Sequence, residues 1–492
     1  MVRWSALGLI LLLTGCAAPR GDAIVFAVAN APTVLDPRLA TDAASERVNA
    51  LLYAQLVTLD EAGQPQAAMA DWQMITPTHY RVRLRPERMP FWDGTTPSAK
   101  DVVETYRSVL DPANGSPHMA TLAHIAQVRA HGEDQVDFRL KRPDPRFPAR
   151  LTLGIVPASA IGTRQIAREP LGSGPLAFLR WREDGGVVLR RRADGQQIAF
   201  VPVSDPTMRA LKLLRGEADL VQNDLPGELY AFLADQPGVE VREYPGTTFT
   251  YIGFNLADPV LANETVRAAI AHAIDRDAII RHLFGGRAQV AESVLRAEHW
   301  AGADALPAVR YDPAEARRLL RDAGYSPEHP LQLGYKTSTD PFRLRIAHVV
   351  QSQLAEVGIQ LKISSYDWGT FFGDIKAGRF QMYSLAWVGV NTPDILRYAF
   401  HSASVPPGGA NRGRYRSARV DAWIESAEAA DLAEAAELYA RVQNEVHGDL
   451  VYVPLWYESN VVASRGLDRY RPGRDGNYLA LTEVRQRNAA GH

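Results

Sequence analysis

Apolar positions along this chain recur with two spacings that alternate over most of its length. In the stretch 80–86, tyrosine, valine and leucine alternate with polar residues, which is typical of a strand with one buried face. In the stretch that follows Ser98, apolar residues recur every three or four positions until Pro112. Ser98 is a good N-cap and a proline ends a helix, so this stretch predicts an amphipathic helix.

The second half of the chain repeats this alternation more regularly. Asn263 and Asp275 are the predicted caps of two helices. The stretch 311–325 predicts the clearest helix, with Asp312 as its N-cap and Gly324 beyond its end. Strand, helix, strand and helix patterns then follow one another up to residue 378. Strands separated by helices are typical of βαβ units, so the sequence predicts an α/β fold with partly parallel sheets.

Composition narrows the class of protein. The 492 residues are 46% hydrophobic and 22% charged, with a formal net charge of −2. These values are typical of a globular protein, and the near-neutral charge argues against a nucleic-acid partner. At about 150 residues per domain, the length predicts two to four domains.

The N-terminus predicts an export signal. Arg3 precedes the apolar run 6–13, which is too short to span a bilayer, and small residues surround Cys16, the only cysteine. The run LTGC (13–16) resembles a bacterial lipobox. That resemblance implies a signal peptide at 1–15, lipid on Cys16 and a tether at 16–24, whereas the alternative is an ordinary signal peptide. In either case the rest of the chain has no disulfide or thiolate metal site.

Motifs for enzymatic chemistry are absent or weak. The chain has no HExxH, no GxGxxG after a strand and no P-loop, and the GSG at 172–174 lacks the glycine spacing of a nucleophile elbow. His118 and His124 are six residues apart, which is poor spacing for two metal ligands on one helix face. A pair of catalytic carboxylates stays open, because acidic residues occur throughout the chain. The sequence therefore favours a binding protein with no metal and no cofactor.

Ten blocks, in order, resemble the oligopeptide-, dipeptide- and nickel-binding group of extracytoplasmic solute-binding proteins of ABC importers, family 5. The blocks are TVLDP (33–37), LLYAQLVTLD (51–60), AMADW with YRVRLRPERMPFWDGTTPSAKDVVETYRSVLDP (68–112), LGSGPLAF (171–178), GEADLV (216–221), GFN with VRAAIAHAIDRDAII (253–280), YDPAEARRLLRDAGY (311–325), QSQLAEVGI (351–359), Trp387 to Asp394, and VPLWY (453–457). The resemblance runs collinearly from about residue 25 to residue 490.

This resemblance implies a periplasmic-binding-protein-like, two-lobed α/β fold of type II, with an additional inserted domain and an interlobe cleft. The expected divisions are a split lobe I at 25–45, 166–250 and 460–492, an inserted domain II at 46–165, and a lobe III at 251–459. Two chain crossovers near 247–255 and 458–465 would form the hinge, and ligands of such folds bind between the lobes.

The loop after Trp387 is the main candidate for ligand contact. By resemblance, Trp387 stacks on a ligand side chain, and the positions that follow line the cleft: Val388, Gly389, Val390 and Asn391. Peptide-binding relatives carry an aspartate at the position of Val390, where it pairs with the α-ammonium of the ligand. Valine cannot neutralise that charge. Three explanations stay open: another carboxylate reaches the site, the peptide binds in a different register, or the ligand has no free amino group.

Other candidates come from the same resemblance. They are Val34 on an N-terminal strand, His118 in the inserted domain, Tyr251 and Asn255 beside the first crossover, and Trp456 and Tyr457 beside the second. For each of these residues, and for Trp387, packing in the core or at the ordinary surface is the alternative.

The sequence as a whole predicts a lipid-anchored, extracytoplasmic solute receptor of an ABC importer, acting as a monomer on the periplasmic side of the cell envelope. Its ligand would be a peptide, a peptide-like molecule or another small solute, and its partners would be the permease subunits and, through the lipid, a membrane. A periplasmic hydrolase and a chaperone-like lipoprotein are the alternatives from other classes.

Overall fold

A computed structural model describes residues 23–40 and 42–486. The α-helices of this part of the chain are α1 (Ala43–Leu52), α2 (Ala99–Leu110), α3 (Met119–Leu122), α4 (Pro206–Leu214), α5 (Gly227–Ala234), α6 (Glu264–His272), α7 (Arg276–Leu283), α8 (Pro313–Asp322), α9 (Pro341–Glu356), α10 (Trp368–Ala377), α11 (Asp394–Phe400), α12 (Ala418–Ala429) and α13 (Leu432–Gly448). Among these residues, no helix is long and apolar enough to span a membrane.

The strands are β1 (Ile24–Val28), β2 (Val57–Leu59), β3 (Pro65–Ala67), β4 (Ala70–Thr76), β5 (His79–Leu84), β6 (Ile125–Ala130), β7 (Gln135–Leu140), β8 (Leu176–Trp181), β9 (Val187–Arg191), β10 (Gln197–Pro202), β11 (Leu220–Gln222), β12 (Val239–Phe254), β13 (Ala288–Val290), β14 (Leu331–Ser338), β15 (Ile359–Tyr366), β16 (Met382–Trp387), β17 (Tyr452–Arg465), β18 (Leu467–Asp468) and β19 (Arg485–Gln486).

One large mixed sheet runs through most of the molecule. Its strand order is β15-β14-β16-β12-β17-β11-β1-β10-β9-β8, and β13 pairs with β17 outside this order. β1 is parallel to β10 and β11, and β14 is parallel to β15 and β16. The alternation of helices and strands in the sequence therefore corresponds to an α/β fold with parallel strands in both halves of the sheet.

Two long antiparallel strands, β12 and β17, join the two halves of this sheet. Their pairing runs from Val239 opposite Arg465 to Gly253 opposite Tyr452, with a register shift between Tyr244 and Thr248. Pro245 and Gly246, which are residues typical of turns, lie within β12. The structure forms one strand with an irregularity at the proline and glycine, since β17 continues to pair on both sides of them.

Three groups of elements are useful for describing the site. Lobe I denotes β1, α1, β8 to β11, α4, α5 and the segment after residue 460. The insert denotes β2 to β7 with α2 and α3, and its main sheet has the order β4-β5-β7-β6. Lobe III denotes α6 to α13 with β13 to β16. Each group has its own cluster of buried apolar side chains.

Capping residues define where the predicted helices begin. Ser98 and Asp101 form a capping box at α2, and the Asp312 carboxylate accepts hydrogen bonds from two backbone N–H groups at α8. Asn263 and Asp275 cap α6 and α7 in the same way. Each helix begins at the residue after its predicted cap, so these starts are confirmed.

Candidate functional site

The carboxyl ends of parallel strands mark the position of the candidate site. In lobe I, β1 and β11 end at Val28 and Gln222, and in lobe III, β14 and β16 end at Ser338 and Trp387. In open α/β sheets, ligands bind in the crevice outside these strand ends. The segments that follow the four strands are therefore the first places to examine.

The loop after β16 lies against lobe I and the insert. The Asn391 amide donates to Asp475 Oδ2 at 3.3 Å, and Gly389, at φ +65°, is close enough that an added Cβ would lie 3.5 Å from the Asp475 Cβ. An added Cβ on Gly63 of the insert would lie 2.2 Å from the Asn391 carbonyl oxygen. The loop that the sequence predicts to face the cleft thus lies where the three groups of elements meet.

Trp387, at the start of this loop, is held in a column of aromatic rings. Its ring stacks on that of Tyr251 at 6.1 Å between centroids, and Tyr251 stacks on Tyr452 at 4.0 Å. The Arg412 guanidinium lies 4.4 Å from the centroid of the Trp387 ring and donates to the Tyr251 hydroxyl at 3.0 Å. A buried cation on an aromatic face restrains both groups, so Trp387 is a rigid platform. Sequence reasoning missed Arg412.

The next two valines differ in their surroundings. Val388 is 53% exposed, whereas Val390 is half-buried and packs against the apolar cluster of lobe III. The position at which the family resemblance predicts a carboxylate is therefore part of an apolar surface in this chain.

A cavity of about 310 Å³ lies between lobe I and the insert. It is lined by Pro37, Ala40, Glu46, Asn49, Ala50, Gln55, His118, Thr121, Leu122, Arg150, Thr152, Leu153 and Gly154. Its size falls at the lower end of the range for small-ligand pockets. Among the predicted site residues only His118 lines it, and sequence reasoning missed Glu46, Asn49 and Arg150.

Two polar atoms beside this cavity have no partner. Asn49 is 4% exposed, and its side-chain oxygen is shut off from solvent without a hydrogen bond. The His118 Nε2 atom is likewise buried and unpaired, and burial lowers the pKa of the His118 imidazole. An unpaired buried acceptor is costly, so such atoms are candidates for binding a ligand group.

Charged side chains from three parts of the molecule lie near one another at the end of β11. The Asp224 side chain is exposed, and desolvation by the surrounding protein raises the pKa of its carboxyl group. Arg343 of lobe III acts electrostatically on this carboxyl group and donates to Glu458 of β17 at 3.1 Å. Asp224, Arg343 and Glu458, here called the charged cluster, therefore combine charges from lobe I, lobe III and a bridging strand.

The insert also contacts lobe III directly. Arg150 Nη1 donates to Asp394 Oδ2 at 2.5 Å, while its Nε donates to Asp144 of the insert at 2.8 Å. Arg146 donates to the Tyr439 hydroxyl at 3.0 Å, and its guanidinium also lies over the Trp300 ring. These contacts describe an arrangement in which the insert and lobe III are closed against each other.

The remaining predicted residues pack within the protein. Tyr251 and Trp456 are fully buried, and Tyr457 donates to two backbone carbonyl oxygens of the segment 293–295. Asn255 donates to the carbonyl oxygens of Gly378 and Phe380, which fixes the turn between α10 and β16. For these four residues, the structure favours core or structural packing over the predicted contact with ligand.

Val34 has a similar role in lobe I. Its backbone N–H donates to Ser45 Oγ at 3.0 Å, and its carbonyl accepts from the Asn49 amide at 3.2 Å, so it anchors the segment before α1. Cys16, the predicted lipidation site, lies outside the described residues. Among the described residues, no group of three or more histidine, cysteine, aspartate or glutamate side chains could hold a metal ion.

Solved structures share this fold along nearly the whole chain. NikZ from Campylobacter jejuni in complex with Ni(L-His) has a TM-score of 0.82 at 21% identity, covering 94% of this chain and 99% of that one. AppA from Bacillus subtilis in complex with a nonapeptide has a TM-score of 0.81 at 22% identity, covering 94% and 98%. DppA from Helicobacter pylori in complex with peptide STSA has a TM-score of 0.81 at 24% identity, covering 94% and 98%. The periplasmic-binding-protein-like fold of type II is thereby confirmed.

Sequence comparison gives the family. The glutathione-binding protein GsiB of Escherichia coli (strain K12) is 28% identical over 485 residues, covering 93% of each chain. The family model for bacterial extracellular solute-binding proteins, family 5 Middle, matches residues 62–405. The protein belongs to the bacterial extracellular solute-binding proteins of family 5.

Proposed function

We propose that this protein is the extracytoplasmic solute receptor of an ABC importer, and that it binds a peptide or peptide-like ligand between its lobes and delivers it to the permease. The observation that carries this proposal is the cavity of about 310 Å³ beside the crevice in which the loop 388–391 meets lobe I and the insert. The family supports it, and so does the DppA relative, which is described as an ABC transporter-associated periplasmic binding protein in complex with a peptide.

Ligand binding in this proposal follows closure of the lobes. The division into lobe I, domain II and lobe III with the boundaries given above is part of the proposal, as is the hinge at the two crossovers. A ligand that contacts both sides binds the closed form better than the open one, and it shifts the population accordingly. Closure would bring Trp387 and the loop 388–391 towards the ligand.

A non-peptide solute is the second candidate, and Val390 is the observation that favours it. The apolar surface at this position offers no charge to an α-ammonium group. Relatives with this fold include NikZ in complex with Ni(L-His) and AgaA in complex with agropinic acid. In either case the protein performs no chemistry, in keeping with relatives that are named as binding proteins.

Native mass spectrometry of protein purified without denaturation tests the proposed function. We expect a co-purifying molecule with the mass of a short peptide or peptide conjugate, lost after the protein is unfolded and refolded. A metal chelate or sugar derivative would select the second candidate instead. Turnover of the bound molecule into a product would contradict a binding role.

The lipid anchor is a separate part of the proposal. We propose cleavage before Cys16, acylation of Cys16 and attachment of a monomeric receptor to a membrane on the periplasmic side. Each buried CH₂ of an acyl chain contributes about 0.8 kcal/mol, so two or more chains hold a protein firmly. Cys16→Ser should therefore move the protein from the membrane fraction to the soluble fraction. An unchanged membrane fraction would contradict the anchor.

A further inference from the structure

The ionisable groups that line the cavity leave one carboxylate free. They are Glu46 on α1, His118 in the insert, and Arg150. The Arg150 guanidinium already bonds two carboxylates, those of Asp144 and Asp394. Among the described residues, none forms a hydrogen bond or an ion pair with the Glu46 carboxylate, which is exposed. Its pKa is raised by desolvation and by the neighbouring Asp42, and Arg47 opposes this only in part. A cation that binds in the cavity would therefore interact favourably with the Glu46 carboxylate.

Two neutral acceptors accompany Glu46. The Asn49 amide donates its Nδ2 to the Val34 carbonyl, which leaves Oδ1 as an unpaired acceptor. The His118 Nε2 atom is buried and has no partner, and burial lowers the pKa of the imidazole, which favours the neutral ring. One nitrogen of a neutral imidazole is an acceptor, and the tautomer with its hydrogen on Nδ1 makes that acceptor Nε2. Three side chains of the lining thus each offer an acceptor without a partner.

Three acceptors of which one is anionic match one ligand group in particular. A primary ammonium carries three N–H donors and one positive charge. A divalent metal ion fits less well, because the described residues supply no group of three metal-ligating side chains. An anion would meet the repulsion of the unpaired Glu46 carboxylate, while the Arg150 cation of the lining is already bonded to two carboxylates. Of these three classes of ligand group, a primary ammonium is the one that fits the three unpaired acceptors best.

We propose that Glu46, Asn49 and His118 form the pocket for the primary ammonium group of the ligand, in place of the carboxylate that Val390 does not provide. This inference rests on the proposed function and narrows it to ligands with a free amino group. It also places that group beside α1 and the insert rather than at the loop after Trp387. An acylated amine has lost its charge and two of its donors, so it is rejected.

A pair of matched peptide panels tests this pocket. One panel contains equimolar tripeptides with free amino termini, and the other contains the same tripeptides N-acetylated. Native mass spectrometry and calorimetry measure the binding of both panels to the wild type and to Glu46→Gln. A hydrogen-bonded charged group implies a preference for the free amine of roughly ten- to hundredfold in the wild type. Glu46→Gln should reduce that preference to within a few-fold. Glu437→Gln, an exposed charge change on α13, should leave it unchanged.

The contrary outcomes separate this inference from the proposed function. If the wild type binds N-acetylated tripeptides as tightly as free ones, or if Glu46→Gln keeps the preference, the pocket is overturned while peptide binding stands. Loss of the preference in Asp224→Asn but not in Glu46→Gln would overturn the pocket and assign the ammonium to the charged cluster at the end of β11 instead. If the wild type binds neither panel, peptide recognition itself is overturned, and the pocket with it. The circular dichroism spectrum of each variant checks that it is folded.

Discussion

Asp144 is the residue on which the surface between the insert and lobe III depends most. It is 5% exposed, and its carboxylate accepts from Arg150 at 2.8 Å and lies 3.2 Å from His124 Nε2. Burial alone would raise the pKa of this carboxyl group, but His124 and Arg150 outweigh burial and hold it well below its usual value. The carboxylate therefore stabilises the folded state only while it is ionised.

Asp144→Asn is expected to cost about 2–3 kcal/mol in the free energy of unfolding, because it removes one of the two carboxylates that bond the Arg150 guanidinium. Urea unfolding monitored by tryptophan fluorescence measures this change. The control is Asp71→Asn, which breaks the exposed pair with Arg85 and is expected to cost at most about 1 kcal/mol. Equal effects of the two substitutions would contradict the role of Asp144.

The same carboxylate predicts a dependence on pH. Its pKa is depressed in the folded state, so its contribution to stability is present above the unfolded value of about 4 and is lost as the pH falls below that value. The wild type should therefore lose stability more steeply than Asp144→Asn between about pH 4 and pH 2. Thermal unfolding across this range measures both slopes. Parallel slopes would show that other groups dominate the acid response.

Residue-scale prediction from the sequence failed where burial has no period. β17 is buried on both faces over most of its length. The sequence therefore does not show which of Trp456 and Tyr457 faces the core, whereas in a strand with one buried face their alternation would show it. Glu46 was missed for a different reason. On α1 it has the pattern of an ordinary exposed charge, and it is exposed in the structure, but the packing of the insert beside α1 makes it part of a cavity wall. Such long-range proximity leaves no local pattern.

At the scale of elements, Arg146 of the insert makes several contacts with lobe III. Its guanidinium donates to the Ala427 carbonyl and the Tyr439 hydroxyl, and it lies 5.5 Å from the Trp300 ring centroid. These partners belong to α12, α13 and the segment after β13. The contact therefore exists only while the two groups of elements are together.

Arg146→Ala should weaken ligand binding by roughly tenfold, because cation–π and hydrogen-bond contacts of this kind contribute about 1–2 kcal/mol to the closed form alone. The unfolding midpoint in the absence of ligand should change little. Calorimetry with the co-purified ligand provides the measurement, and Arg139→Ala, an exposed residue on β7, is the control. A large loss of stability without loss of affinity would make Arg146 a purely structural residue.

A substitution at Gly63 provides a second test of the contact between the insert and lobe III. This glycine has φ +77°, and an added Cβ would lie 2.2 Å from the Asn391 carbonyl oxygen and 2.9 Å from His299 Nε2. Gly63→Ala should therefore hold the loop 388–391 away from the insert and lower the ligand affinity. Gly94→Ala, at φ +91° with open space around it, imposes the same backbone strain without a clash and is the matched control. Equal affinities of the two variants would contradict the contact.

Elements were predicted better than residues because their signals are local. A cap, a proline or a glycine acts on the backbone within a few residues, so the starts of α6, α7 and α8 follow from the sequence. The continuity of β12 through Pro245 and Gly246 could not be predicted in this way. It depends on β17, which is more than 200 residues away and pairs on both sides of the break.

At the scale of the whole molecule, the bridging strands β12 and β17 are the only antiparallel pair that joins lobe I to lobe III within the large sheet of the described residues. Their register shift between Tyr244 and Thr248 lies at the boundary between the halves. A pair of strands can twist at such an irregularity while its hydrogen bonds on either side persist. In the closure that we propose, this irregularity is the hinge, and no flexible linker is needed.

Hinge closure predicts a change of overall size with ligand. The protein stripped of ligand by unfolding and refolding should have a larger radius of gyration in small-angle X-ray scattering than the protein with its co-purified ligand, because the contacts of Arg146, Arg150 and Gly63 hold the closed form together only when ligand joins its two sides. The Gly63→Ala variant should keep the larger radius of gyration even when ligand is present. The unfolding temperature should rise with ligand concentration. At a ligand concentration one hundred times Kd, the free energy of unfolding increases by about 2.7 kcal/mol. A ligand that raises the unfolding temperature in this way but leaves the radius of gyration unchanged would show that the protein binds without closing.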